Sequence, residues 1–189
     1  MKARLFIVSA PSGAGKSTLC RKLREKFQDI QYSISYTTRK ARKNESHGVD
    51  YFFISRQEFE EGIQNNQWAE WAKVHDNYYG TSRSFIESQL ASGNDVLLEI
   101  DVQGMRQMIN LFPDAITIFI KPPSMDILRK LLESRATDAP EVIEKRLKNA
   151  LKEMEFQHLY QHHIINDNLE IASKTFIALF NKKAINYDS

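Results

Sequence analysis

The chain has 189 residues, 42% of them hydrophobic, and its 26 basic and 24 acidic side chains leave a formal net charge of +2. This near balance argues against a nucleic-acid binder, which usually has a larger basic excess. The apolar runs are too short for a membrane-spanning helix. The single cysteine, Cys20, rules out an internal disulfide, and with no secretory leader pattern at the start it predicts a cytoplasmic protein.

The first part of the chain alternates strand and helix. The apolar run 4–10 is typical of a buried parallel strand, and Leu19, Leu23 and Phe27 recur at helical spacing. A second strand is predicted over 32–37. The alternation predicts an α/β core with parallel strands.

The middle of the chain is more polar and has shorter elements. After a charged loop at 37–50, the pattern predicts a strand at 51–55, a helix at 56–66, a strand at 67–74, a turn at 75–82 and a helix at 84–92 that ends at Gly93. This mixture predicts a small α+β insertion in the parallel core.

The last part returns to apolar strands and helices. The predicted elements are strands at 95–101, 115–120 and 163–166, a helix from Ser124 to about Arg135, a helix reaching Phe156 and a final helix at 168–185. Asp138 is the predicted cap of the second of these helices, with Pro140 in its first turn and Glu141 at the capping-box position. The break between the first two helices predicts a second, helical insertion.

The stretch 9–18, SAPSGAGKST, lies between the first predicted strand and helix. Gly13 and Gly15 let the backbone turn so that consecutive amides converge on a phosphate at the positive end of the helix. Lys16 supplies a cation for the β and γ phosphates, and the Ser17 hydroxyl can hold Mg²⁺. The alternative is an ordinary glycine-rich turn. The predicted ATP-binding residues of this loop are Ala10 (where the strict pattern has glycine), Pro11, Ser12, Gly13, Ala14, Gly15, Lys16, Ser17 and Thr18.

A more specific pattern follows in the polar loop. The stretch 35–54, SYTTRKARKNESHGVDYFFI, resembles the signature of the guanylate kinase family. Its positions are filled by Thr37, Thr38, Arg39, Arg42, Glu45, Gly48, Tyr51 and Phe53. The segments WAEWAKVHDNYYGTS, LLEIDVQG and IIND are similar to further motifs in family order, so the resemblance covers nearly the whole chain. It implies Mg²⁺-dependent transfer of the γ-phosphoryl group of ATP to GMP or dGMP, which gives ADP and GDP or dGDP in purine nucleotide metabolism.

The resemblance also implies a domain plan. It identifies residues 1–189 as one guanylate kinase-like domain with a P-loop, three-layer parallel-sheet core. The core comprises about 1–34, 95–127 and 151–189. The GMP-binding insertion spans about 35–94, and a helical lid spans about 128–150.

The resemblance assigns an acceptor site. Two arginines and two tyrosines would hold the GMP phosphate, while a carboxylate and two hydroxyls would read the guanine edge, which offers two N–H donors beside an acceptor oxygen. Without the resemblance, the arginines would read as an exposed basic loop and Glu70 as an exposed strand residue. Trp68 and Trp71 are predicted to pack rather than to stack on a base. The predicted GMP-binding residues are Ser35, Arg39, Arg42, Glu45, Tyr51, Glu70, Tyr79, Gly80, Thr81 and Asp101.

The remaining roles concern the transfer itself. Glu99 and Asp101 are expected on one face at a strand end, and Asp101 is assigned with Ser17 to Mg²⁺; contact between Glu99 and ligand stays open. The catalytic residues implied by the resemblance are Lys16, Arg39, Arg135 and Arg146. Asn166 is implied as an adenine-side residue of the ATP site. The three histidines His158, His162 and His163 are interpreted as structural or exposed rather than as a metal site.

Two alternatives remain beside the kinase interpretation. One is a guanylate kinase-like interaction domain that binds peptides without chemistry, but such domains tend to lose the phosphate loop that is intact here. The other is a related kinase acting on a sugar phosphate, against which the guanine-reading set argues. The predicted partners are the small molecules ATP and GMP or dGMP, without nucleic acid or membrane, and a homo-oligomer stays open.

Overall fold

The computed structural model describes residues 2–74, 76–134 and 139–181. The amino-terminal elements are β1 (Leu5–Ser9), α1 (Lys16–Lys26), β2 (Gln31–Tyr32), β3 (Tyr36–Thr37), β4 (Phe52–Phe53), α2 (Arg56–Gln64), β5 (Trp68–Val74), β6 (Asn77–Ser82) and α3 (Arg83–Ala91). They are followed by β7 (Val96–Glu99), α4 (Val102–Leu111), β8 (Ile116–Lys121), α5 (Met125–Glu133), α6 (Pro140–Glu155), a 3₁₀ turn (Gln157–Leu159), β9 (His162–Ile165) and α7 (Leu169–Ala178). No helix within the described residues is long and apolar enough to cross a bilayer.

The strands form two sheets. The larger sheet has five strands in the order β2-β7-β1-β8-β9, and its pairs β2–β7 and β8–β9 are parallel. The central strands are almost entirely buried, as expected for a parallel sheet covered on both faces. The smaller sheet has the order β4-β3-β6-β5 and mixes parallel with antiparallel pairs. The predicted α/β class and the mixed character of the middle segment are confirmed.

The chain divides into two compact units. The first comprises Met1–Ile7 and Asp29–Ile116, and the second comprises Val8–Gln28 and Thr117–Ser189. In the first unit, Phe59 is fully buried and stacks between Trp68 and Tyr78, with ring centroids 4.5 and 5.1 Å away. The indole N–H of Trp68 donates to the Phe59 carbonyl at 3.1 Å. Packing is therefore confirmed for Trp68, whereas Trp71 is 37% exposed and meets Tyr78 edge-on.

The second unit is built on helix packing. Leu19, Cys20 and Leu23 of α1 are fully buried, which confirms the helical spacing of the two leucines, and α1 packs against α7. Helices α5 and α6 pair through a buried cluster of Leu128, Leu132, Ile143, Leu147 and Ala150. The five residues of this cluster lie within 128–150, the segment predicted to be the lid.

Two predicted elements in the first unit are wrong. The strand predicted over 32–37 is two strands in different sheets, because the Ser33 amide bonds to Leu97 whereas the Ser35 carbonyl accepts from Phe52. The turn predicted over 75–82 is mostly strand β6, paired with β5. Gly80 there is needed for packing and not for a turn, since a Cβ on it would lie 2.8 Å from the Phe59 ring.

Helix α4 is absent from the sequence-based prediction, although Val102, Met105 and Met108 face the core at helical spacing. Asp101 belongs to this helix as its N-cap and not to the preceding strand, which ends at Glu99. The expectation that Glu99 and Asp101 lie on one strand is therefore wrong, because β7 ends at Glu99 and α4 begins directly after Asp101.

The carboxyl-terminal helices differ at their ends. Ala139 is the N-cap of α6, with Pro140 in the first turn as predicted, while the predicted cap Asp138 lies outside the described residues. Arg135, the predicted end of the preceding helix, also lies outside them, and α5 ends at Glu133. Helix α7 ends at Ala178, so its predicted extension over 179–181 is wrong, and 182–185 are not described.

Two acidic residues of the first unit offer a matched test of burial. Asp95 accepts three bonds from the Arg4 backbone and guanidinium, and both side chains are less than 20% exposed. We expect Asp95→Ala to lower the free energy of unfolding by about 2 kcal/mol, because it leaves a half-buried guanidinium without its carboxylate. Asp114→Ala, which removes a pair with Lys2 that is over 80% exposed, should cause no measurable change. Urea denaturation measures both; equal losses would contradict the argument.

Candidate active site

The loop between β1 and α1 forms a cradle for an anion. Gly13 and Gly15 have φ of 98° and 90°, and the Ala14 amide donates to the Pro11 carbonyl at 3.0 Å. Helix α1 begins at Lys16 with Gly15 as its N-cap, so no side chain caps the first amides and no acid stands in the first turn. Uncapped amides at a helix N-terminus, with its positive dipole, are suited to a phosphate.

A cavity of about 420 Å³ opens at this loop. Eight of the nine predicted loop residues line it, and Ala14 is the exception because its side chain is buried. Lys16 and Ser17 belong to the lining. The volume and the cation suit a polyphosphate chain with its counterion.

Both glycines of the cradle are required by close neighbours. A Cβ on Gly13 would lie 2.9 Å from the Leu132 side chain, and one on Gly15 would lie 2.2 Å from Nδ2 of Asn166. The Asn166 Nδ2 donates to the Ala14 carbonyl at 2.8 Å. The predicted adenine-side residue therefore contacts the main chain of the loop itself.

Glu153 of α6 also lines the cavity, and sequence reasoning did not single it out. Its Oε2 atom is inaccessible to solvent. The residue lies in a helical run of charged side chains that matches no motif, so no local signal distinguishes it from its exposed neighbours. Together with Ser17, it brings to the cavity the oxygen donors that Mg²⁺ prefers.

In the first unit, Arg39 forms a fork with Glu45. Two guanidinium nitrogens donate to the two carboxylate oxygens at 2.9 Å each, and both side chains are less than 20% exposed. Glu45 holds the pKa of Arg39 above its usual range, with a further contribution from the Tyr79 hydroxyl. In turn, Arg39 holds the pKa of the Glu45 carboxyl below the usual range of a glutamate. Glu45 thus orients the Arg39 guanidinium.

The two tyrosines lie beside this pair. The Arg39 guanidinium is 5.5 Å from the centroid of Tyr51, whose ring meets Tyr79 edge-on at 6.0 Å. Burial raises the pKa of the Tyr51 hydroxyl, which therefore stays a neutral donor. Arg42 differs from Arg39: its side chain is 77% exposed and its guanidinium is 4.0 Å from Glu45. Both arginines were predicted to hold the GMP phosphate, and their burial distinguishes them.

Glu70 on β5 is a buried carboxylate, 6% exposed. Its Oε1 accepts from the Thr81 hydroxyl on β6 at 2.5 Å, and a Cβ on Gly104 would lie 2.6 Å from its Oε2. Burial, with a smaller contribution from the charge of Asp101, raises the pKa of Glu70 to about 7, although the Thr81 bond opposes this. A carboxylate desolvated in this way favours a ligand that donates hydrogen bonds to it.

The other predicted acceptor residues surround these groups. Gly80 pairs with Trp71 across the hairpin, and Ser35 lies where the chain enters the smaller sheet. Oδ1 of Asp101 accepts from the Gly104 amide at 2.8 Å, so one oxygen of this predicted metal ligand caps α4. Glu99 is partly buried and acts electrostatically on Tyr51.

The lid arginines are only partly described. Arg146 lies on α6 and is partly buried, and Arg135 lies outside the described residues. Lys130, Lys145 and Lys148 in the same segment are exposed. His158 and His163 bond to the Glu155 and Gln157 carbonyls. Across 2–74, 76–134 and 139–181, no three His, Cys, Asp or Glu residues group as a metal site.

Comparisons with known proteins agree on one family. The profile described as guanylate kinase matches residues 2–183. The guanylate kinase of Fusobacterium nucleatum subsp. nucleatum is 51% identical over 175 residues, which is 93% of this chain and 94% of that protein. The guanylate kinase of Dechloromonas aromatica is 50% identical over 169 residues, covering 89% and 84%. The crystal structure of guanylate kinase from Anaplasma phagocytophilum aligns with a TM-score of 0.78 at 31% identity, covering 98% and 88%.

The environment of Glu70 predicts a pH dependence of stability. The folded protein keeps the Glu70 proton up to about pH 7, whereas the unfolded chain releases it near 4.5. The contribution of the neutral Glu70 carboxyl to the free energy of unfolding is therefore fully present below about pH 4.5. It is lost as the pH rises through 7, and the loss reaches about 3 kcal/mol. Glu70→Gln should remove this dependence, and the difference between the two proteins in urea denaturation from pH 4.5 to 8 isolates it. A constant difference across that range would refute the desolvated carboxyl.

Proposed function

This chain belongs to the guanylate kinase family, and from that premise we propose that it transfers the γ-phosphoryl group of ATP to GMP or dGMP, with ADP and GDP or dGDP as products. The observation that carries the choice of acceptor is the buried Glu70 with the Thr81 hydroxyl bonded to it. The cavity lined by Lys16 and Ser17 supports the choice of donor.

Guanine fits the Glu70 environment because its edge carries two donors, N1–H and the N2 amino group. An ionised carboxylate accepts from both, and the Ser35 hydroxyl is proposed to donate to the O6 acceptor. The Thr81 hydroxyl donates to Glu70 in this structure, so it can donate to O6 only after its proton turns away from the carboxylate. Adenine has an unprotonated N1 at the same place and would set an acceptor against the carboxylate. A site that hydrogen-bonds such groups discriminates against the mismatched base by several orders of magnitude.

The phosphate of GMP is proposed to bind at Arg39, Arg42, Tyr51 and Tyr79. Charge-assisted bonds from guanidinium groups and neutral hydroxyl donors suit a dianionic phosphate. Glu45 pre-orients Arg39, so little conformational entropy is lost when the phosphate arrives. Arg42, being exposed, has to be ordered by the ligand.

In the proposed reaction, a phosphate oxygen of GMP forms a bond to the γ-phosphorus of ATP. The bond from that phosphorus to the β–γ bridging oxygen breaks, and the electron pair leaves with ADP. The attacking oxygen is largely ionised near pH 7, because the second pKa of a phosphate monoester is about 6. No general base is needed. Lys16, Arg39, Arg135 and Arg146 are proposed to offset the charge of the transferring group, with the cradle amides holding the polyphosphate.

Mg²⁺ is proposed to enter with ATP as part of the substrate. When bound, the ion screens the β and γ phosphates and fixes their geometry. Ser17 is the proposed protein ligand, and Glu153 lies at the same cavity as an acceptor for water on the ion. Asp101 remains a proposed contributor through the oxygen that does not cap α4.

The finer assignments follow the same family premise. The core, insertion and lid boundaries given above are proposed for the chain, and all four strands of the smaller sheet lie within the insertion at 35–94. Asn166 and the loop residues from Ala10 to Thr18 are proposed to form the ATP site. The cytoplasm is the proposed compartment, on the cysteine content.

An acceptor panel tests the proposal most directly. ADP formation should be measured with GMP, dGMP, AMP, UMP and ribose 5-phosphate at fixed ATP and Mg²⁺. Turnover is expected with GMP and dGMP, and kcat/KM for AMP should be lower by about four orders of magnitude. Glu70→Gln should raise KM for GMP and leave ATP binding unchanged. Comparable turnover of AMP would defeat the guanine argument, and no ADP with any acceptor would favour a peptide-binding domain.

The different burial of the two arginines predicts unequal effects. Arg39→Ala should raise KM for GMP by about 100-fold and lower kcat, because it removes a pre-oriented fork and leaves Glu45 without its cation. Arg42→Ala should raise KM by about tenfold, since its exposed side chain gains less from binding. KM for ATP is the internal control. A larger effect at Arg42 would contradict the assignment.

A further inference from the structure

The contact between Asn166 and the phosphate loop links two segments that are 152 residues apart in the chain. Asn166 follows β9, and its amide donates to the Lys121 carbonyl at 2.9 Å, so the backbone ladder between β8 and β9 extends to this residue. The side chain is therefore anchored by the sheet. From there its Nδ2 reaches the Ala14 carbonyl at 2.8 Å.

We propose that Asn166 is a positioning residue that orients the peptide group between Ala14 and Gly15 for phosphate binding. The inference rests on the proposed binding of ATP in the cradle, and it goes beyond the adenine-side role expected for this residue. In a planar trans peptide, the carbonyl and the following N–H point in opposite directions. A carbonyl held by Asn166 consequently turns the Gly15 N–H away from Asn166.

Two further observations support this orientation. Gly15 lines the cavity and Ala14 does not, so the peptide bond between them lies at the cavity wall. Gly15 has a φ of 90°, and a Cβ at this position would lie 2.2 Å from Nδ2 of Asn166. Without Asn166, a glycine with this freedom can rotate its peptide groups at little cost. The side-chain bond removes that freedom before the ligand binds, which lowers the entropy lost on binding.

The choice of side chain follows from the chemistry of the contact. The Ala14 carbonyl is an acceptor and requires a donor. The asparagine amide supplies one without adding charge beside a polyphosphate, whereas an aspartate of the same shape would place an anion against the carbonyl and near the ligand. The residue acts through the loop and needs no contact with the reacting atoms.

The experiment uses inorganic tripolyphosphate, which engages the cradle but has no base, beside ATP and adenosine. Binding of each with Mg²⁺ is measured by calorimetry for the full chain and for Asn166→Ala, Asn166→Asp and Asn168→Ala. Asn168 is a matched control, because it caps α7 two residues away by accepting from the Glu170 and Ile171 amides. Thermal unfolding of every variant shows that it is folded.

We expect Asn166→Ala to weaken tripolyphosphate and ATP by a similar factor, about five- to tenfold, and Asn166→Asp to weaken both by more. Asn168→Ala should lower thermal stability without changing either affinity. In ¹H–¹⁵N spectra, the Gly15 amide should move downfield when tripolyphosphate binds the original chain, and the shift should fall by half or more in Asn166→Ala.

Four results would overturn the inference. Unchanged tripolyphosphate affinity in Asn166→Ala, with weaker ATP and adenosine, would leave only an adenine contact. Equal losses in Asn168→Ala would reduce the effect to general stability. If the original chain binds no tripolyphosphate, both the cradle assignment and this inference fail. If the original chain binds it and Asn166→Ala has no effect, this inference fails and the cradle assignment stands.

Discussion

Main-chain amides can hold a polyphosphate only where nothing else bonds to them and no side chain fills the space before them. The start of α1 meets both conditions, because Gly15 offers no side-chain cap and the loop opens on a cavity. Side chains of the surrounding unit keep the glycines of this loop free of side chains. Leu132 packs where a side chain on Gly13 would stand, and Asn166 lies where one on Gly15 would stand. The buried cluster between α5 and α6 supports Leu132 in turn.

The acceptor side depends on two carboxylates in opposite environments. Glu45 bonds to the Arg39 guanidinium, and the pair keeps both groups charged. Glu70 is buried beside a neutral hydroxyl, which makes its ionised form costly until a ligand donates to it. The first environment suits an anion that joins an existing cation. The second suits a neutral edge that donates hydrogen bonds. The proposed phosphate site therefore relies on charge attraction, and the proposed base site relies on hydrogen bonds to a buried carboxylate.

Where sequence-based expectations were wrong, a pairing, packing or capping contact outweighed the preference of the single residue. Asn77 and Gly80 are typical turn residues, yet β6 is a strand because β5 pairs with it along its whole length. Gly80 is small because the Phe59 ring occupies the adjacent space. Asp101 was predicted to end a strand, but its side chain accepts a hydrogen bond from the Gly104 amide and caps the start of α4. Glu153 was missed because only the fold places it at the cavity that α6 borders, and its charged neighbours Lys152 and Glu155 are exposed.

The sequence by itself determined what depends on neighbours along the chain: the strand, glycine loop and helix of the cradle, the apolar spacing of α1, and the identity of the arginines and tyrosines predicted to bind phosphate. Only the tertiary structure decided which of these groups are buried, paired or oriented. Arg39 and Arg42 are three residues apart, yet one is held in a half-buried fork and the other is exposed. Burial and hydrogen-bond direction depend on atoms brought together from distant segments, and a one-dimensional pattern does not contain those distances.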